Sequence, residues 1–95
     1  MMEKYEVMFI VKNTIEDDSV KAVADSLQGI ITKGKGKIIE FKEMGKRKLA
    51  YPIKKQNEGY YVLINFSSNP DFIDELERVY NITDEIIKHI IVKKD

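Results

Sequence analysis

Residues 4–12 read Lys4-Tyr5-Glu6-Val7-Met8-Phe9-Ile10-Val11-Lys12. One alternate set, Tyr5, Val7, Phe9 and Val11, is apolar throughout, while the other begins and ends in lysine. A period of two belongs to a β-strand, whose successive side chains point to opposite faces. Burying unpaired charge is costly, so Lys4, Glu6 and Lys12 turn their set away from the core. Met8 and Ile10 share that parity, and the sequence predicts them on the same outer face.

The flanking segments follow from this strand. Asn13-Thr14-Ile15-Glu16-Asp17 reads as a helix start, with acids suited to the positive helix end. Val20, Val23, Ala24, Leu27, Ile30 and Ile31 recur at helical spacing, and Gly34 or Gly36 is expected to end the helix. A second strand begins near Lys37, with Ile39 and Phe41 expected on one side and Ile38, Glu40 and Lys42 on the other. Gly45 marks a bulge or bend. The chain then stays extended through Leu49-Ala50-Tyr51-Pro52-Ile53, and Pro52, lacking an N–H, makes this an edge strand.

Residues 55–59 read as a turn and residues 60–66 as a third strand, with Tyr60, Val62, Ile64 and Phe66 opposite Tyr61, Leu63 and Asn65. Asn69-Pro70-Asp71 supplies a cap, a first-turn proline and an acid for a second helix, whose stripe is Ile73, Leu76, Val79 and Tyr80. After a break at residues 81–84, residues 86–93 form the last strand, with Lys88, Ile90 and Val92 opposite Ile87, His89 and Ile91.

The order β-α-β-β-α-β predicts an α+β, ferredoxin-like split βαβ fold as one domain over residues 1–95. Four antiparallel strands carry two helices on one face. The other face is left open and presents Met8, Ile10, Tyr61, Leu63 and Ile90, rimmed by charge, a pattern that suits an interaction surface. Readers of single-stranded RNA with this architecture stack bases on central-strand aromatics, of which only Tyr61 stands here. Met, Ile and Leu suit a protein partner better; a homodimer face or an unpartnered sheet are the alternatives.

Composition narrows the chemistry. Ninety-five residues allow one modest core, and a chain with no cysteine and a single histidine offers neither a disulfide framework nor a thiolate metal site. Apolar runs fall far short of the ~20 residues needed to span a bilayer, and no signal peptide follows Met-Met-Glu-Lys, so a cytoplasmic protein with no membrane contact is expected. No P-loop, G-x-G-x-x-G or H-E-x-x-H pattern occurs. Gly34-Lys35-Gly36-Lys37 follows a helix and opens none, so it reads as a helix end with solvated lysines. Asp71, Asp74 and Glu75 read as helix-end charges, and His89 as packed within the last strand. No catalytic residue, metal or cofactor is expected.

Net charge is zero, 16 basic against 16 acidic side chains, yet the charges are segregated. Residues 33–55 hold nine basic and two acidic side chains, a net of +7, whereas residues 67–87 hold six acids and Arg78, a net of −5. A chain so polarised presents a basic patch without a basic total. Lys46, Arg47, Lys48, Lys54 and Lys55 lie on or beside the edge strand, and with Lys4, Lys88 and Lys93 they form the candidate RNA-binding set. Arginine suits bidentate phosphate contact. Tyr51, among them, either stacks on a sugar or base or packs within the hairpin.

Three runs carry a resemblance: Lys4-Tyr5-Glu6-Val7, Gly45-Lys46-Arg47-Lys48-Leu49-Ala50-Tyr51-Pro52-Ile53-Lys54, and Gly59-Tyr60-Tyr61. Together they resemble the bacterial small ribosomal subunit protein six family, over nearly the whole length. The resemblance implies a structural constituent of the small subunit that binds the central domain of small-subunit ribosomal RNA together with a basic partner, small ribosomal subunit protein eighteen. It implies no catalysis and no cofactor. A monomer is expected in isolation. An independent single-strand RNA binder and a small regulatory ligand-binding module of the same fold are the competing readings.

Overall fold

The strand of residues 4–12 lies in the interior of a sheet. The computed structural model describes residues 2–12, 17–53 and 56–94. It runs β1 (Glu3–Lys12), α1 (Asp17–Lys33), β2 (Lys37–Ile53), β3 (Gln56–Ser68), α2 (Pro70–Ile82) and β4 (Ile86–Lys94). The sheet order is β2-β3-β1-β4 with every neighbouring pair antiparallel. Each helix therefore joins two strands that run parallel with a third between them, the split βαβ arrangement.

Both helices pack on one face. Tyr5, Val7, Phe9 and Val11 of β1 join Val62, Ile64 and Phe66 of β3, and against them lie Val20, Ala24, Leu27 and Ile31 of α1 and Leu76 and Tyr80 of α2. The two helical stripes and the odd-numbered set of β1 are thus the core that the periodicities predict. Asn69 caps α2, its side-chain oxygen accepting from the Asp71 N–H at 3.2 Å, with Pro70 in the first turn. The proposed start of α1 at residues 13–16 lies outside the described residues.

The end of α1 differs from the expectation. The chain reverses not on a glycine but on Lys35, at φ 68. The Lys35 N–H donates to the Thr32 carbonyl at 3.0 Å and the Gly36 N–H to the Ile31 carbonyl at 2.8 Å. These two bonds satisfy the last helical carbonyls in a Schellman turn whose left-handed residue is a lysine.

The strands also depart from strict alternation at four places. In β2 the register shifts between Ile38 and Glu40. Ile38 and Phe41 both pack on the core while Ile39 is 55% exposed, so the expected pairing of Ile39 with Phe41 is corrected. A second shift sets Glu43 opposite Val62 and Gly45 opposite Tyr61, leaving Met44 as the extra residue beside Gly45 at φ +83, where a side chain would be strained. A third leaves residues 49–52 between the pairs Lys48↔Glu58 and Ile53↔Gln56, opposite Asn57 alone. Pro52 thus sits in a bulge of the edge strand, where no ladder N–H is required. In β4, Ile10 pairs with Lys88 and Val11 with Ile86, so Ile87 is the extra residue. Ile86 takes the core position and Ile87 packs on the opposite face, away from the His89 and Ile91 set predicted for it. β3 also begins at Gln56, so residues 56–59, expected in a turn, belong to the strand.

Candidate functional site

Registers on both sides of β1 arrange the face away from the helices in rows. Lys37, Ser67, Lys4 and Lys94 make one row; Glu40, Asn65, Glu6 and Val92 the next; Lys42, Leu63, Met8 and Ile90 the third; Gly45, Tyr61, Ile10 and Lys88 the fourth; Arg47, Gly59 and Lys12 close it. Directly paired residues in antiparallel strands share a face. The result is an apolar middle between two cationic ends. The carboxylates inside the face are engaged: Glu6 with Lys94 at 3.2 Å, and Glu40 with Lys42 at 3.9 Å while it accepts from the Asn65 amide at 3.0 Å.

This face is not open along its whole length. Ile10 is only 4% exposed, because Leu49 lies over it together with Ile87 and Tyr61, forming a second apolar cluster on the side opposite the core. Ile10 shares the outer parity, as predicted, but it is not an accessible contact residue. The bulged residues 49–52 bring the end of β2 over the sheet as far as β4, the opposite edge. There Lys88 Nζ donates to Tyr51 Oη at 3.3 Å and stands 5.7 Å from the centre of its ring. A groove of about 170 Å³ remains, lined by Met8, Ile10, Leu49, Tyr51, Lys88 and Ile90 among others. Met8, Tyr61 and Leu63 are half-buried, Ile90 is 45% exposed and Tyr51 is 59% exposed.

The predicted RNA-binding set does not lie on one surface. Lys4, Arg47, Tyr51 and Lys88 share the face away from the helices. Lys46 pairs with Tyr60 and Lys48 with Glu58, and this register turns them to the other side of the arm. Lys46 Nζ stands 5.9 Å over the Tyr60 ring. Lys93 belongs to the helix-side parity and pairs with Glu3 at 3.7 Å, so it is separated from the others by the thickness of the sheet. Lys54 and Lys55 lie outside the described residues. Lys46, Arg47 and Lys48 are all exposed, and the Arg47 Nε donates to the Met44 carbonyl at 3.2 Å, which fixes the inner end of the guanidinium. A two-sided cationic arm results, followed along β2 by the Tyr51 ring that lies against Lys88.

Two features escaped the reading of the sequence. Lys37 completes one cationic end of the face and Lys12 the other; parity puts Lys12 on this face, but neither lysine is in the predicted RNA-binding set. Leu49 closes the second cluster, and its signal was the alternation of Leu49, Tyr51 and Ile53 with Lys48, Ala50 and Pro52. His89 does pack within the last strand: its Nε2 lies 3.0 Å from a Glu77 carboxylate oxygen and its ring stacks on Tyr80, 5.0 Å between centres. It ties β4 to α2. Among the described residues no group of three or more His, Cys, Asp or Glu side chains could hold a metal ion, and no helix is long and apolar enough to cross a membrane.

Comparison with known proteins bears on this surface. A family model described as Ribosomal protein S6 matches residues 4–93. Small ribosomal subunit protein bS6 of Clostridium perfringens is 49% identical over 94 residues, covering 99% of both chains. The protein of that name from Caldanaerobacter subterraneus is 45% identical over the same span. The crystal structure of 30S ribosomal protein S6 from Thermotoga maritima superposes with a TM-score of 0.95 at 36% identity, covering 99% of this chain and 89% of that one.

Proposed function

The chain belongs to the ribosomal protein S6 family, and from that membership we propose that it binds small-subunit ribosomal RNA through the β2–β3 arm while its sheet face takes a protein partner. It is a structural protein of the small ribosomal subunit, located in the cytoplasm as part of the ribosome, and not an enzyme. The RNA site is the central domain, and the partner is small ribosomal subunit protein eighteen. The observation that carries this reading is the exposed arm of Lys46, Arg47 and Lys48, within a segment of net +7, beside an apolar face with cationic ends.

Each element of the surface has a role suited to its chemistry. Arg47 and its neighbouring lysines neutralise phosphates from both sides of the arm, and they release counterions in doing so. Met8, Leu63 and Ile90 form a small apolar centre with a charged rim, the composition of a protein interface. A single-strand reader would place aromatics on the middle strands, where this chain has Met8 and Leu63. Co-sedimentation with assembled small subunits in moderate salt tests the reading. Wild-type protein is expected to stay bound, whereas the Lys46→Ala, Arg47→Ala, Lys48→Ala triple variant is expected to be released; equal retention of the two would contradict the role of the arm.

A further inference from the structure

We propose that Leu49 is a positioning residue that clamps the cationic arm to the sheet, so that the arm meets RNA already ordered; this rests on the RNA reading of the arm given above. The ladder between β2 and β3 breaks after Lys48↔Glu58 and resumes only at Ile53↔Gln56, so residues 49–52 carry no regular pairing to hold them. Yet Leu49 in that stretch is buried to 6% exposure, seated on Ile10 and Ile87.

Two local features build the seat, and a tether holds the chain beyond it. The β4 shift turns Ile87 out of the core side and under Leu49. Gly59, opposite Arg47, lets the Ile10 side chain lie against the arm: a Cβ there would stand 2.3 Å from Ile10 Cγ2. Tyr51, two residues beyond Leu49, is tethered to Lys88 on the far edge strand. Leu49 thus stands between Arg47 and Tyr51, with a buried anchor beneath it. Holding the segment that carries Arg47 and Tyr51 in place before binding removes an ordering cost from association.

The test compares Leu49→Ala, Leu49→Met and Arg47→Ala. Each is measured for binding to a central-domain transcript of small-subunit RNA over a salt series, and for amide hydrogen exchange. Leu49→Ala is expected to lose protection in residues 44–59 while β1 and α1 stay protected. Its affinity should drop roughly tenfold, the scale of re-ordering a few side chains, with an unchanged salt slope because no cation is lost. Leu49→Met should restore both. Arg47→Ala should lower the slope and leave exchange unchanged. Wild-type affinity in Leu49→Ala, with Arg47→Ala behaving as stated, would overturn the clamp alone. An Arg47→Ala slope equal to wild type would instead overturn the RNA reading. Loss of protection spreading to β1 and α1 would show Leu49 to be a general stabiliser and also overturn the clamp.

Discussion

Ile10 and Leu63 share one face of adjacent strands, and their surroundings give them different roles. Ile10 lies beneath Leu49, while Leu63 stays half-buried beside Met8 and Ile90. Ile10→Ala should therefore cost about 2–4 kcal/mol, like a core truncation, whereas Leu63→Asp should cost about 1 kcal/mol and abolish partner binding. Denaturant melts and partner titration of the two variants check this; equal stability losses would place Leu63 in the core. Tyr80 offers a second test. Among the described residues its buried hydroxyl has no hydrogen-bond partner, and burial holds its pKa far above the ordinary 10.0. A group raised in the folded state contributes its stability fully below its unfolded pKa and loses it as pH rises through the folded value, so alkaline destabilisation should set in above about pH 10. Tyr80→Phe should remove that onset and raise stability by about 1 kcal/mol by deleting an unsatisfied hydroxyl. A variant that melts like wild type across pH 8 to 11, roughly the span bracketing a free tyrosine, contradicts the assignment.

Elements were legible wherever a period ran uninterrupted. β1 shows its two faces in nine residues, and both helices show theirs in Val20, Ala24, Leu27 and Ile31 and in Leu76 and Tyr80. Asn69-Pro70-Asp71 marked its helix start because a cap is a local interaction. The bulges were harder to see. Only Gly45 announces one; Ile39, Ile87 and residues 49–52 are displaced by the mismatch between strands that meet far apart in sequence, and no local residue type records that. For the same reason the even set of β1 read as a uniformly open face, although part of it is covered by residues 49–52. The α1 terminus is a smaller instance: two glycines flank the left-handed position, and lysine occupies it. Lys35→Gly should raise stability by about 0.5–1 kcal/mol by relieving a left-handed non-glycine residue. Thermal melts check it, and destabilisation would mean that the lysine side chain contributes more than its backbone costs.

Across the whole molecule, charge is divided between a basic central segment and an acidic C-terminal helix region while the total stays at zero. This arrangement suits the proposed RNA-binding role of the arm without the general polyanion affinity that a strongly basic chain would have. The apolar centre of the face is small, and its flanking lysines oppose self-pairing, so sedimentation of the isolated protein at low concentration is expected to give a monomer; a stable dimer would reassign the face to a second copy. The division of labour between arm and face is tested most directly by the salt dependence of ternary assembly with central-domain RNA and the basic partner, comparing Arg47→Ala with Leu63→Asp. Arg47→Ala should keep partner affinity and lower the log–log salt slope by about 0.7–0.9, and Leu63→Asp should lose partner affinity at an unchanged slope. Loss of slope in Leu63→Asp, or an unaltered slope in Arg47→Ala, would contradict it.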